Sequence, residues 1–235
     1  MALVFPPQDT PTVAVAGSDD RIPVRRIFCI GRNYAAHARE MGRDPDREPP
    51  FFFLKPADAV VEDGATIPYP PQTENLHYEA ELVAVIGKGG RHISAADASK
   101  HIFGYAVGND VSVRDWQRKT AQWLMGKSFD THAPFGPSIV TSDEVGDPHR
   151  LDITCKVNGE VRQSSNTKQL LFDVFAQVEE LSQAMTLKPG DLIFTGTPGG
   201  VGLAMKPPVF LKEGDVVTCE IEELGAITNK VVAEA

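Results

Sequence analysis

The stretch Leu76-His-Tyr-Glu-Ala-Glu-Leu-Val-Ala-Val-Ile-Gly87 decides how this chain is read. Its second half, residues 82–86, is apolar and partly β-branched, the signature of a buried strand. Alternate side chains of a strand share a face, so the spacing predicts His77, Glu79 and Glu81 on one side. Two carboxylates side by side at the mouth of a core strand repel each other and lose hydration together. A divalent cation would offset both effects. Asp110, at the end of the apolar run Gly104-Tyr-Ala-Val-Gly-Asn-Asp110, offers a third hard oxygen. Three carboxylates without a cysteine beside them suit Mg²⁺, Mn²⁺ or Ca²⁺ better than zinc. Taken alone, a Glu-x-Glu at a strand end also fits a solvated face.

Outward from this strand, β signals outnumber helical ones. Residues 27–30 and 51–54 read as strands, and the Ala-rich segment after Gly31 as a short helix with Asn33 as its cap. Residues 42–50 are charged and proline-rich, a surface loop. Ser94 and Asp97 mark another helix start, and residues 115–125 read as helical. Leu151, Ile153, Cys155 and Val157 alternate with polar residues before an Asn158-Gly159 hairpin turn. Leu171, Val174, Phe175, Val178, Leu181 and Met185 follow helical spacing. Lys188-Pro-Gly190 stops that helix, residues 191–195 form a further strand, and two strands around Gly225 close the chain.

With 235 residues, 42% hydrophobic and 23% charged, the composition is that of a soluble globular protein. We expect a short arm over residues 1–20 and one catalytic domain over residues 21–235. The net charge of −9 argues against nucleic acid as a partner and requires local cations or a metal to capture an anionic substrate. Cys29, Cys155 and Cys219 fall in strand-like runs without metal spacing and read as buried fillers in a reducing compartment. The N-terminus lacks a basic n-region, and no run reaches membrane-spanning length, so the expectation is a cytoplasmic protein without membrane contact.

Several further groups carry chemistry. His37 and Glu40, three residues apart, are neighbours on one helical face, where a carboxylate orients an imidazole as a general base; an ordinary surface pair fits the same spacing. Arg114 and Gln117 follow the third carboxylate: Arg114 could clamp a substrate carboxylate, or pair with Asp110 or Asp115. Lys127 lies between apolar neighbours and needs a partner unless it snorkels to solvent. Its Gly126-Lys-Ser segment resembles the end of a phosphate-binding loop, but Ala121 stands where the first glycine belongs. Thr195-Gly-Thr-Pro-Gly-Gly-Val-Gly202 lets backbone N–H groups approach an anion, with the Thr197 hydroxyl beside them, or forms a tight turn without a ligand. There is no G-x-S-x-G elbow and no H-E-x-x-H zinc motif.

Six stretches in order resemble the fumarylacetoacetate hydrolase family: Gly31-Arg-Asn-Tyr-Ala-Ala-His, Phe53-Leu-Lys-Pro56, His77-Tyr-Glu-Ala-Glu-Leu, Gly108-Asn-Asp110, Gly126-Lys-Ser-Phe-Asp130 and the glycine-rich loop. The chain resembles the compact single-domain branch, within it most of all the bacterial fumarylpyruvate hydrolases of aromatic (gentisate) breakdown. The resemblance implies a mixed α/β, mainly β fold, a β-sandwich roll with peripheral helices, usually a homodimer. It implies that Glu79, Glu81 and Asp110 hold Mg²⁺ or Mn²⁺, and that His37 and Glu40 activate water on a lid-like segment. Lys127 would lie near the substrate carbonyl, with Arg32, Lys55, Arg114, Gln117 and Thr197 at substrate-contacting positions. The implied reaction is metal-dependent hydrolysis of a C–C bond in a small keto-acid, an acylpyruvate such as fumarylpyruvate. Oxaloacetate decarboxylation or isomerisation of an unsaturated keto-diacid would use the same site. A non-catalytic protein that binds keto-acid or metal is the alternative from another class.

Overall fold

A computed structural model of the protein describes residues 3–42, 44 and 49–234. The apolar run after Glu81 forms the centre of a seven-stranded sheet. Ala80–Ile86 pairs antiparallel with Ile102–Asn109 on one side and with Asp191–Phe194 on the other. Arg26–Gly31 and Phe51–Lys55 extend the sheet past Asp191–Phe194; Ala133–Thr141 and Val60–Val61 extend it past Ile102–Asn109. Glu160–Asn166, Asp152–Val157, Val216–Ile221, Gly225–Ala233 and Thr66–Tyr69 make a second sheet in that order.

The central strand is buried along its whole length because each face meets a different core. Leu82, Ala84 and Ile86 share one core with Ile153, Cys155 and Val217 of the five-stranded sheet. Val83 and Val85 share the other with Ile27, Cys29, Phe135 and Phe194, all from the same seven-stranded sheet, which curls over its own face. The fold is therefore mixed but mainly β, with two sheets packed face to face and short helices outside them. All three cysteines are free and buried. Thr12–Ala14 pairs with Arg21–Pro23, and Val13 joins the second core, so this part of the N-terminal segment packs on the sheet.

Several local expectations hold. Asn158 and Gly159, with φ of 52° and 81°, turn the hairpin between Asp152–Val157 and Glu160–Asn166. The amphipathic helix spans Val174–Ala184, and the Asp173 carboxylate accepts from Ala176 N at 2.8 Å to cap it.

Others are displaced by tertiary contacts. The strand expected to carry His77, Glu79 and Glu81 on one face is interrupted at Tyr78 and Glu79. Leu76–His77 pairs instead with Ser112–Val113. The alternation breaks there, and the His77 ring packs 5.0 Å from Phe210. The helix expected over residues 115–125 is two short helices, Arg114–Gln117 and Leu124–Lys127, with the residues between them free to form part of a cavity wall. Residues Ala95–His101 wind as a 3₁₀ helix, and Ser94 hydrogen-bonds the Asp97 side chain rather than capping the backbone. Of the loop expected over residues 42–50, residues 43 and 45–48 lie outside the described residues.

Asn33 does not cap the helix Ala35–Glu40. It is fully buried, donating to Phe172 O and Thr195 O and accepting from Phe172 N, each at 2.8 Å. It ties three chain segments together. Asn33→Ala should therefore cost on the order of 3 kcal/mol by leaving buried backbone groups unpaired. Urea unfolding checks this; a variant within ~0.5 kcal/mol of the parent, the range of neutral surface changes, would show that Asn33 is not a tie.

Candidate active site

The carboxylates are placed by the ends of the central strands. Where the ladder breaks, Asn109 Oδ1 accepts from Glu79 N at 2.9 Å and Asp110 N donates to Glu79 O at 2.8 Å. From the other sheet, Gln163 Oε1 accepts from Ala80 N at 3.0 Å. These bonds replace the missing ladder and bring one ligand atom each of Glu79, Glu81 and Asp110 within 4.8 Å of one another. All three residues are at most 3% exposed. The solvated-face reading of Glu-x-Glu is thereby excluded.

Buried carboxylates at this spacing need counter-charge. Lys127 Nζ bridges Glu79 Oε2 at 2.6 Å and Asp110 Oδ2 at 2.5 Å. Arg114 pairs with Glu79 Oε1, not with Asp110 or Asp115, and donates to Gln117 Oε1 at 2.8 Å. Lys55 Nζ lies 2.8 Å from Asp110 Oδ1 and donates to the carbonyls of Val111, Lys127 and His132. Burial alone would raise the Glu79 carboxyl, but Arg114 and Lys127 outweigh it and hold the group well below the usual range. Burial likewise acts to lower Lys127, yet Asp110 and Glu79 keep it raised.

Glu81 is different. Among the described residues no cation lies within ion-pair distance of it, and its Oε2 accepts only the Gly196 amide, at 2.8 Å. Burial, and then the charges of Asp110 and Glu79, push its carboxyl well above the ordinary value. Asp110 Oδ1 meanwhile faces the Lys55 ammonium at 2.8 Å without an aligned hydrogen bond. A cluster of hard oxygens that is short of positive charge at one carboxylate fits a divalent cation held by Glu79, Glu81 and Asp110.

The glycine-rich loop explains itself here. Its anions are the protein's own carboxylates: Gly196 N holds Glu81, and Gly200 N holds Glu40 Oε1 at 2.8 Å. Gly196 has φ of 98°, and a Cβ there would meet Asn33 at 2.6 Å; at Gly200, with φ of 103°, it would meet Arg162 O at 2.1 Å. Only glycine fits either position. Thr197 Oγ1 donates to Ala80 O at 2.9 Å and accepts from Gln163 Nε2 at 2.7 Å, which locks the loop on the strand. The second oxygen of Glu40 faces His37 Nδ1 at 3.7 Å, and His37 is itself buried.

A cavity of about 430 Å³ gathers these groups. The three carboxylates, His37, Lys127 and Thr197 line its inner end, with Arg114 and Gln117 beside them. Arg32 lines it too. Glu40 and Lys55 stand behind the lining and act on it through His37 and Asp110. The sequence reading did not single out Phe51, Phe53 and Trp123, three rings on the same wall, or Gln163, which bridges the two sheets. Apolar residues in strands carry no local mark of a cavity, and a buried glutamine is legible only once its partners are known.

Comparison with known proteins follows the same outline. The family profile described as fumarylacetoacetate (FAA) hydrolase C-terminal matches residues 26–232. The chain is 53% identical over 209 residues to the mitochondrial oxaloacetate tautomerase FAHD2A of Bos taurus, covering 88% of this chain and 66% of that protein. To FAHD2B of Homo sapiens, of the same description, it is 51% identical over the same shares. The chain thus spans just under two thirds of the length of these curated relatives. A fumarylpyruvate hydrolase from Pseudomonas aeruginosa, solved with Mn²⁺ and pyruvate, is 46% identical with a TM-score of 0.92, covering 99% of this chain and 100% of that one. A 5-carboxymethyl-2-hydroxymuconate delta-isomerase from Mycobacterium smegmatis is 44% identical with a TM-score of 0.80, covering 91% and 81%.

One expectation is overturned by these relatives: they are mitochondrial, which points away from a simply cytoplasmic location. Buried free cysteines and ordinary composition are compatible with any reducing compartment, so they could not separate the two.

Titration with Mn²⁺ or Mg²⁺ should raise the thermal midpoint saturably, since a ligand bound only by the folded state adds about 2.7 kcal/mol at a hundredfold excess over Kd. Glu81→Gln removes a charged ligand and should lose most of that rise. A parent protein whose midpoint ignores both ions at millimolar concentration would count against the cluster as a metal centre.

Proposed function

The chain belongs to the fumarylacetoacetate hydrolase family, and from that premise we propose that it is a metal-dependent enzyme that hydrolyses the C–C bond of an acylpyruvate, fumarylpyruvate being the best fit. The observation that carries this reading is the convergence of a histidine–carboxylate pair and a carboxylate cluster on one cavity.

On this reading each group has a task set by its surroundings. Arg114 is fixed by Glu79 and Gln117, while its Nε is buried without a partner, a donor suited to the substrate's 2-oxo acid end. His37 takes a proton from water as the water adds to the distal acyl carbonyl. Glu40 orients the imidazole and is itself fixed by Gly200 N. Lys127, positive between two carboxylates, stabilises the oxyanion that develops at that carbonyl. The C–C bond then breaks towards the pyruvate side, and protonation of that carbon gives pyruvate and an acid, fumarate in the preferred case. A divalent cation held by Glu79, Glu81 and Asp110 would supply Lewis-acid stabilisation to the enolate leaving group.

A second reading, tautomerisation or decarboxylation of oxaloacetate, is favoured by the identity of 51–53% to the curated tautomerases. Neither reaction needs an attacking water, so each should depend less on His37 than hydrolysis does.

Loss of the near-ultraviolet diketone absorbance of fumarylpyruvate, followed with EDTA and with added Mg²⁺ or Mn²⁺, tests the two readings when oxaloacetate is run in parallel. Fast metal-dependent release of pyruvate and fumarate is the expected result. His37→Ala should slow it by roughly 10²–10⁴-fold, the usual loss for an essential base. Fumarylpyruvate left intact while oxaloacetate reacts would transfer the assignment to the second reading.

A further inference from the structure

Outside the carboxylate cluster the cavity runs along a wall of three rings. The Phe53 ring lies 5.0 Å from Lys127 Nζ and 5.4 Å from Trp123. Phe51 meets Trp123 edge-on at 4.6 Å. The Arg32 guanidinium lies over both outer rings, 5.5 Å from Phe51 and 5.4 Å from Trp123. The wall therefore begins at the reacting end and finishes beneath a positive charge.

The backbone is shaped around this arrangement. A Cβ on Gly31 would come within 2.7 Å of the Trp123 ring, so the preceding residue yields its volume to the tryptophan. Arg32 itself has φ of 60°, a left-handed conformation uncommon for a residue with a side chain, and such residues gather at ligand sites. Arg118 lines the same cavity, and among the described residues no carboxylate pairs with it. Arg118 thus offers the cavity a cation for a substrate carboxylate in a chain whose net charge is −9.

We propose that this outer end is an acyl subsite for a planar, conjugated chain that ends in a carboxylate. The rings cover the flat C=C–C=O face, and Arg118 receives the terminal carboxylate. Trp123 and Arg118 are then specificity-determining residues that touch the non-reacting end of the substrate. Short acylpyruvates and oxaloacetate leave the subsite unfilled and forgo its binding energy. The proposal rests on the reading of the inner end given above.

Steady-state kinetics of Arg118→Gln, Arg118→Lys and Trp123→Ala on fumarylpyruvate and on acetylpyruvate, which lacks the far carboxylate, test it. Arg118→Gln should raise KM for fumarylpyruvate about tenfold, equivalent to about 1.4 kcal/mol, and leave acetylpyruvate within about twofold. Arg118→Lys should recover part of the loss, and Trp123→Ala should weaken fumarylpyruvate more than acetylpyruvate. Equal effects on both substrates, or none, overturn the subsite.

A binding readout separates this failure from failure of the hydrolase reading. The chain has two tryptophans, so Trp116→Phe leaves Trp123 as the only reporter. Fumarate should quench its fluorescence saturably, with crotonate, which has the same plane and one carboxylate, about tenfold weaker; Arg118→Gln should erase that difference. Such discrimination without hydrolysis of fumarylpyruvate upholds the subsite and removes the hydrolase. Hydrolysis without discrimination upholds the hydrolase and removes the subsite.

Discussion

Three carboxylates packed within 4.8 Å at buried strand ends are the constraint on which the rest of the site depends. Bringing such a group out of water costs several kcal/mol per charge unless opposite charge and hydrogen bonds arrive with it. Here each compensating group comes from a different segment: Lys55 from the end of an edge strand, Arg114 and Lys127 from two short helices, and Gly196 from the glycine-rich loop. The edge strand is held by its ladder and the loop by hydroxyl bonds, but a helix of four residues is far below the length that is stable by itself. The two short helices are held in large part by charge. Lys55 shows the point most plainly: its one ammonium ties three backbone carbonyls to Asp110.

The glycine-rich loop extends the same logic to the catalytic pair. Two of its amides, four residues apart, hold Glu81 of the cluster and Glu40 of the pair. The distance between base and cluster is thus set within one short loop, itself locked to the central strand by Thr197 and Thr195. The helix Ala35–Glu40 is joined to that loop through Asn33 as well. Glycine is required for this closeness and not for flexibility, since a side chain at Gly196 or Gly200 would collide with Asn33 or Arg162.

What was legible in the sequence was whatever local rules control. The apolar run after Glu81 marked the central strand, Asn158-Gly159 marked a hairpin of the second sheet, and the spacing from Val174 to Leu181 marked a helix. The carboxylate triad could be suspected from Glu-x-Glu and a strand-terminal Asp, because like charges beside an apolar run are locally anomalous. What could not be read were the partners. Arg114 offered Asp110 and Asp115 as neighbours in sequence and took Glu79, thirty-five residues away, because the break at Tyr78 and Glu79 turns that carboxylate towards it. The same break removed His77 from the face it was expected to share. The continuous helix over residues 115–125 failed for a related reason: propensity favours it, but Lys127 must reach two buried carboxylates while Trp123 packs on Phe51 and Phe53.

The two ends of the cavity are built from different forces, and this bears on which chemistry it supports. The inner end is a charge network in which substitution of Glu79, Asp110, Lys127 or Arg114 strands a buried partner, so it can vary little. The outer end is rings and rim arginines, where shape and volume can change at modest cost. Lys127 stands at the border, bonded to the cluster on one side and 5.0 Å from Phe53 on the other. On the proposed reading, an acylpyruvate brings to that border a ketone carbonyl that water can attack. The C4 carboxylate of oxaloacetate falls at the same place but is already anionic, so water does not add there and Lys127 has no developing oxyanion to stabilise. Hydrolysis and tautomerisation then need no difference in the carboxylate cluster. They differ in whether the group between Lys127 and His37 is a ketone or a carboxylate.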